Sequence, residues 1–257
     1  MLSLLKPKPV IDDASVAWLL DCFQWAIEHF DRKALQQCKL VLPSNEFFPD
    51  RVNSVHGMAQ AIFSRVIGYA GLSHWPFTLV SPENFIAAPV PQLSLDSSQR
   101  NNSETGTESA PMRLIVSYQP QQTKQPQAMA AAFGHLVAQH LVYQSGQTPP
   151  GGSDYVAQAT EVVAIFMGFG LLLTNSAYQF RTGCGSCYDP AANRSAVLSE
   201  RESLVGLAIF CHVKGIDNRH LFQHLKSHLK GTYKRAQKQL QTHSNQLTQL
   251  QQLVSGD

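Results

Sequence analysis

The stretch Ala128-Met-Ala-Ala-Ala-Phe-Gly-His135-Leu-Val-Ala-Gln-His140 predicts a helix that packs closely against its neighbours. Its alanines are small, apolar and strong helix formers, so they allow another helix to come near its backbone. Only His135 and His140 carry a titratable side chain in this stretch. They are five positions apart, whereas residues on one helix face are three or four apart. A helical zinc site needs two histidines one turn apart, so the stretch predicts a packing helix rather than a metal-binding one.

The remainder of the chain predicts an α+β fold that is predominantly α. Apolar residues recur at helical spacing in six stretches, 12–30, 55–69, 127–144, 154–180, 199–214 and 218–254. Ser199 and Glu202 are spaced as a capping box at the start of the fifth stretch. Short apolar runs bounded by turn residues predict the strands of a small N-terminal sheet, at 39–43, 77–81 and 112–118.

The chain is predicted to form a single domain, residues 1–257, with two distinctive segments. Residues 89–111 are rich in Ser, Asn, Gln, Thr and Pro, which predicts a mobile surface loop. Residues 241–257 are rich in glutamine, and Leu247 and Val254 keep a seven-residue spacing. This C-terminal segment is either a frayed helix or a short coiled-coil seam through which the chain forms a homo-oligomer.

Composition favours a cytoplasmic protein without a membrane segment. The 257 residues are 44% hydrophobic and 15% charged, and the net charge of +2 is too small to predict a nucleic-acid partner. Five cysteines, an odd number, do not predict a disulfide framework, and this favours a reducing compartment. The longest apolar run, 162–173, is shorter than the roughly 18 to 20 residues that span a bilayer.

Four groups of residues together carry a resemblance to a known family. They are Phe47-Phe-Pro-Asp50 with 61–71, the helix ending in Gly134-His135, 160–170 with 174–177, and 198–202 with 207–210. Through them the chain resembles an uncharacterised bacterial family with a zincin-like metallopeptidase signature, His-Glu-x-x-His. The resemblance covers most of the chain, and it implies a zincin-like helical core.

The resemblance also implies a site whose residues are largely replaced in this chain. His135 matches the second histidine of the signature, while Ala131 and Ala132 stand at the first histidine and the glutamate. Ala157 stands at a downstream glutamate, and Glu161 matches the acidic residue of a Thr-Asp pair. One histidine and one carboxylate cannot hold a catalytic zinc through three protein ligands. We therefore expect a catalytically inactive binding or interaction module of unknown ligand, with no zinc cofactor.

Three side chains are expected in the remaining cleft, namely His135, Glu161 and His140, with Glu161 as a hydrogen-bond partner of His135. The alternative is a metal-dependent hydrolase that has rebuilt its site from these residues or from Cys184 and Cys187. The two cysteines have the spacing of half a structural zinc site, so they are free thiols, zinc ligands or a disulfide.

His220, His224 and His228 follow one another at four-residue steps in the last predicted helix, and lysines flank them. This pattern predicts a solvated basic face, because neighbouring ammonium groups disfavour a bound cation. Docking of an acidic partner or of nucleic acid is the alternative. No aromatic stacking platform accompanies these residues, so nucleic acid is not expected.

Overall fold

A computed structural model describes residues 8–93, 100–101, 113–181 and 197–256 of the chain. It confirms an α+β fold that is predominantly α. The helices are α1 (Asp13–His29), α2 (Arg32–Gln37), α3 (Val55–Ala70), α4 (Pro126–Ser145), α5 (Val156–Ala164), α6 (Gly170–Arg181), α7 (Glu200–Val213), α8 (Asn218–His224), α9 (Ser227–Leu240) and α10 (Ser244–Ser255). The strands are β1 (Phe77–Leu79) and β2 (Leu114–Val116). Buried apolar side chains from Val10 to Val254 form one hydrophobic cluster.

Three helices begin within one residue of their predicted starts, and polar side chains cap all three. Asp12 accepts a hydrogen bond from the backbone N–H of Ser15 (2.8 Å) at the start of α1. Ser54 accepts one from the N–H of Gly57 (3.0 Å) at the start of α3. The predicted capping box of α7 is present at Ser199.

The sheet pairs β1 with β2 in parallel, with Thr78 opposite Ile115. The prediction of a strand at 39–43 is wrong, because these residues form no strand. Their backbone docks instead on the core, where the N–H of Val41 donates to the carbonyl oxygen of Gly168 (2.9 Å). Gly168 has a φ of 97°, and a Cβ at this position would clash with the carbonyl oxygen of Lys39, so only glycine fits.

The predicted helix over 154–180 is interrupted at its centre. A short 3₁₀ turn precedes α5, and a π-helical turn, Ile165–Phe169, separates α5 from α6. By length and composition alone, Ser153–Ala177 is long and apolar enough to cross a membrane, and the expectation of no membrane segment stays a prediction. Of the 18-residue window that meets these criteria, 83% is buried inside the protein.

The single helix predicted over 218–254 is wrong, because the chain forms α8, α9 and α10 there. The break before α9 depends on Asn175, which is 4% exposed. Its side-chain amide donates to the carbonyl oxygen of His224 (2.9 Å) and accepts from the N–H of Lys226 (3.1 Å). This interaction spans about fifty residues of sequence, and it holds the backbone at the break in an extended conformation.

The side chains predicted to form a coiled-coil seam are buried in their own chain. Leu247 is 3% exposed and Val254 is 8% exposed. The helix that carries them, α10, packs against α1, α2 and α7. A coiled-coil seam through these residues would require α10 to leave the core. Homo-oligomerisation through α10 remains a prediction, and it would have to use a different face of this helix.

The predicted surface loop at 89–111 is held to the rest of the chain near both described parts, at Gln92, whose side-chain amide donates to the carbonyl oxygen of Gln144 (2.9 Å), and at Arg100. Of this segment the structure describes 89–93 and 100–101. Arg100 is only 1% exposed, and its guanidinium donates to the carbonyl oxygen of Ala70 (2.8 Å). Its backbone N–H donates to the carboxylate of Asp31 (2.6 Å). The mobility predicted for residues 94–99 and 102–111 lies outside the described part of the chain.

Candidate binding groove

The helix α4 has one face that is closed by the core. Ala131 and Ala138 are fully buried there. Gly134 lies beside the π-helical turn, where a Cβ would stand 2.8 Å from Cγ of Phe169. As the sequence predicts, these small residues let α4 pack closely against the π-helical turn.

The opposite face of α4 lines an open groove of about 750 Å³, named here the β2–α4 groove. Its floor and walls come from three parts of the chain, namely Ala132, Phe133, His135, Leu136, Gln139 and His140 of α4, residues 113–119 and 122 around β2, and 82, 85, 86 and 88–91. The groove therefore lies between a helix, one strand of the sheet and an extended stretch.

The strand β2 presents an unpaired edge to the groove. The N–H of Leu114 donates to the carbonyl oxygen of Pro76 (2.9 Å), and the carbonyl oxygen of Val116 accepts from the N–H of Val80 (2.9 Å). Leu114 and Val116 thus direct their backbone groups toward β1, and Ile115, between them, directs its N–H and C=O to the other edge. Within the described residues the sheet has two strands, so no third strand covers this edge.

Apolar side chains are unusually exposed around this edge. Phe85 is 44% exposed, Ile86 79%, Val90 39% and Ile115 44%. All four line the β2–α4 groove. Since clustered exposed apolar side chains mark binding surfaces more often than ordinary surface, this wall supports a ligand that buries them.

The polar lining of the groove is neutral or cationic. Arg113 is exposed at the start of β2, and the side chains of His135 and His140 line the α4 wall. Burial lowers the pKa of His140 below the ordinary value for histidine, and its ring meets the Phe77 ring edge-on at 5.3 Å. No carboxylate is among the described residues that line the groove. The buried Oε1 of Gln119 has no hydrogen-bond partner in the described parts of the chain.

Two of the three side chains that the sequence places in one cleft line the β2–α4 groove. His135 and His140 both line the groove, although their spacing predicts different helix faces, because the groove is wide enough to include both. Glu161 is elsewhere and 1% exposed. Its carboxylate accepts hydrogen bonds from the N–H groups of Val197 (3.1 Å) and Leu198 (3.0 Å), just before α7. Glu161 therefore fixes the entry to α7 instead of lining the groove.

The residues present do not fit the zinc that the resemblance implies. Ala131 is fully buried, Ala132 is half-buried in the groove wall, and Ala157 is exposed. None of the three methyl groups can coordinate a metal or accept a proton. In the described ranges, no group of three or more His, Cys, Asp or Glu side chains is placed to hold a metal ion.

Two other sequence candidates have different outcomes. Cys184 and Cys187 lie outside the described residues, so their role remains a prediction. The end of one helix and the start of the next divide the histidine series, so that His224 lies on α8 and His228 on α9. The Nε2 atom of His228 lies 3.4 Å from a carboxylate oxygen of Glu200. The four-residue spacing therefore does not describe one continuous helix face.

Sequence reasoning missed the groove wall and the open strand edge. Phe85 and Ile86 lie next to a proline-rich stretch that predicts a surface loop, and the only signal was their size and apolar character in that context. The chain has no match among protein-family models, curated proteins or solved structures. Its function is therefore argued from the geometry of the β2–α4 groove.

Proposed function

We propose that this protein is a catalytically inactive binding module, and that an extended polypeptide segment of a partner protein is the ligand of the β2–α4 groove. The observation that carries the proposal is the unpaired edge of β2 inside the groove. An added strand would satisfy the N–H and C=O of Ile115 with backbone hydrogen bonds. The exposed side chains of Phe85, Ile86 and Val90 would supply the apolar contact.

The absence of catalysis is proposed from the chemistry of the available side chains. A hydrolase of the resembled kind needs a carboxylate that takes a proton from a zinc-bound water. Ala132 stands at that position, and the one buried carboxylate on the neighbouring helix, Glu161, already accepts two backbone hydrogen bonds. The retained residues of the family pattern thus support the fold, and the groove supplies a surface. A cytoplasmic location belongs to the same proposal.

Strand addition is tested with a display library of random heptapeptides and the Ile115→Pro variant. Proline removes the N–H that points to the groove, and a sheet edge tolerates it because that N–H is not used by β1. We expect enriched peptides to bind the native chain, to bind the control Ile115→Thr more weakly because it keeps the N–H but loses apolar contact, and to lose binding to Ile115→Pro. N-methylation of single peptide amides should weaken binding at alternate positions. Equal binding of enriched peptides to Ile115→Pro and Ile115→Thr, or no dependence on N-methylation, would rule out strand addition.

The alternative, a metal-dependent hydrolase with a rebuilt site, is tested by zinc titration of the purified protein. Such a site needs three side chains within about 2.0 to 2.3 Å of one metal ion. We expect the zinc content to be unchanged by His135→Ala. Stoichiometric zinc that is lost in His135→Ala would support the hydrolase and contradict the proposed module. Zinc lost only in Cys184→Ser or Cys187→Ser would indicate a metal site apart from the groove.

A further inference from the structure

The side chains of β2 and its flanks divide between the two faces of the sheet. Leu114 and Val116 are 1% and 2% exposed and point into the core. Arg113, Ile115 and Ser117 alternate with them, so they share the outer face, where Arg113 and Ile115 are exposed and Ser117 is half-buried. These three side chains form a row beside the open edge, in the order cationic, apolar, hydroxyl.

Arg113 gives this row an unbalanced charge. It is the only residue with a formal positive charge among the described residues that line the β2–α4 groove, and no carboxylate lines it. Within the described ranges Arg113 has no ion pair, because the salt bridges found there join other residues. A strand laid against β2 places its side chains directly opposite this row, where opposite charges and pairs of β-branched or aromatic residues stabilise the pairing.

We propose that the groove selects extended segments in which an acidic residue and a β-branched or aromatic residue are two positions apart. The acidic side chain pairs with Arg113, and the apolar side chain packs on Ile115. The intervening side chain points to the α4 wall, which offers Leu136 and the methyl group of Ala132. This selectivity rests on the proposed function, because it requires a strand at the edge of β2.

Charge distinguishes this ligand from two other occupants. A second copy of the chain that paired through its own β2 would bring residues 113–119, which contain Arg113 and no acidic residue. It would therefore leave the guanidinium without a carboxylate. A nucleic acid would require several phosphate contacts, whereas the groove lining has one guanidinium. An acidic peptide is the occupant whose charge and backbone both match.

The test is a charge-reversal experiment with blocked heptapeptides. The acidic peptide is acetyl-Ser-Glu-Val-Ile-Ala-Thr-Ser-amide, and its partner has Lys in place of Glu. Both are also made in reverse order, since a strand can add to β2 in either direction. Dissociation constants are measured for the native chain, for Arg113→Glu and for the control Arg201→Glu, whose arginine is exposed on α7. Because Arg113 is exposed, its replacement should leave the thermal unfolding temperature unchanged, and this is measured in parallel.

In one of the two orders, the native chain should bind the acidic peptide about threefold to tenfold more tightly than the Lys peptide. Arg113→Glu should reverse the preference, Arg201→Glu should retain it, and added salt should reduce it. Equal affinities for the two charges, or a preference that survives Arg113→Glu, would overturn the proposal. If Ile115→Pro still abolished binding in that case, strand addition would stand and only the selectivity would fall.

Two further outcomes would also overturn the proposal. Failure of all four peptides to bind, while library-selected peptides bind in an Ile115→Pro-sensitive way, would overturn the selectivity and leave strand addition standing. A chain that sediments as a dimer, and becomes a monomer in Ile115→Pro but not in Ile115→Thr, would assign the edge of β2 to a second copy of the protein.

Discussion

One face of α4 packs into the core, whereas the opposite face lines the β2–α4 groove. On the closed face, Gly134 lets α4 pack directly on Phe169. A Cβ at this position would lie only 2.8 Å from Cγ of the Phe169 ring. On the open face, His135 and Leu136 line the groove together with β2, whose outer edge has no partner strand among the described residues. The closed face is therefore sensitive to one methyl group, and the open face has room for a ligand.

The difference teaches that the packing of α4 and the lining of the groove depend on different residues. Ala131 is fully buried in the close packing of the closed face. The edge and the apolar wall of the groove on the other side come from β2 and from residues 82–91. Substitutions on the two sides should thus separate stability from binding.

The largest effect is expected from Gly168→Ala, in the π-helical turn that packs against the closed face of α4. The added Cβ would have to tolerate a φ of 97° and would clash with the carbonyl oxygen of Lys39. We expect a loss of roughly 3 to 5 kcal/mol in the free energy of unfolding, measured by urea denaturation. Gly231→Ala is the control, because that glycine lies in α9 with nothing near its Cβ position. It should be neutral or stabilising by up to about 1 kcal/mol.

A smaller loss is expected from Glu161→Ala. This change leaves the N–H groups of Val197 and Leu198 without their carboxylate acceptor in a buried environment. The free energy of unfolding should fall by about 2 to 4 kcal/mol, while the affinity for a groove-binding peptide should not change at 10 °C, where the variant remains folded. A loss of peptide affinity without a loss of stability would instead place Glu161 in the binding site.

On the open side, Ile86→Ser should change binding and spare the fold. Ile86 is 79% exposed, so its loss should alter the free energy of unfolding by no more than about 0.5 kcal/mol. Peptide affinity should fall about fivefold, because the ligand buries part of this side chain. Val55→Ser, at an exposed valine outside the groove, should leave affinity unchanged. Equal effects of the two substitutions would remove the apolar wall from the site.

The smallest effect concerns His140, which lies at the border of the two faces. Burial lowers its folded-state pKa below the 6.5 of a free histidine, so the unfolded chain takes up the proton first as the pH falls. Stability should therefore be full above pH 6.5 and should decrease as the pH falls from 6.5 to the folded-state pKa. The slope can reach at most about 1.4 kcal/mol per pH unit. His140→Gln should flatten this part of the profile, and exposed His220→Gln should not; the opposite result would assign the slope to another group.

Local signals predicted much of the fold. The capping box of α7 is recognisable because Ser199 and Glu202 are three positions apart, and the pattern of α4 predicts a closely packed helix. The break before α9 could not be predicted, because it depends on Asn175 from a helix about fifty positions earlier. The groove was missed for the same reason. Whether the edge of Ile115 is open is set by the pairing of two strands that are far apart in sequence.

Amide hydrogen exchange at Ile115 tests the central claim most directly. The free protein should exchange this N–H rapidly, because it points to an edge that no described strand covers. Saturation with a library-selected peptide should slow its exchange strongly and leave that of Leu114, which already donates to Pro76, unchanged. Peptide binding that leaves the exchange of the Ile115 amide unaltered would contradict strand addition in the β2–α4 groove.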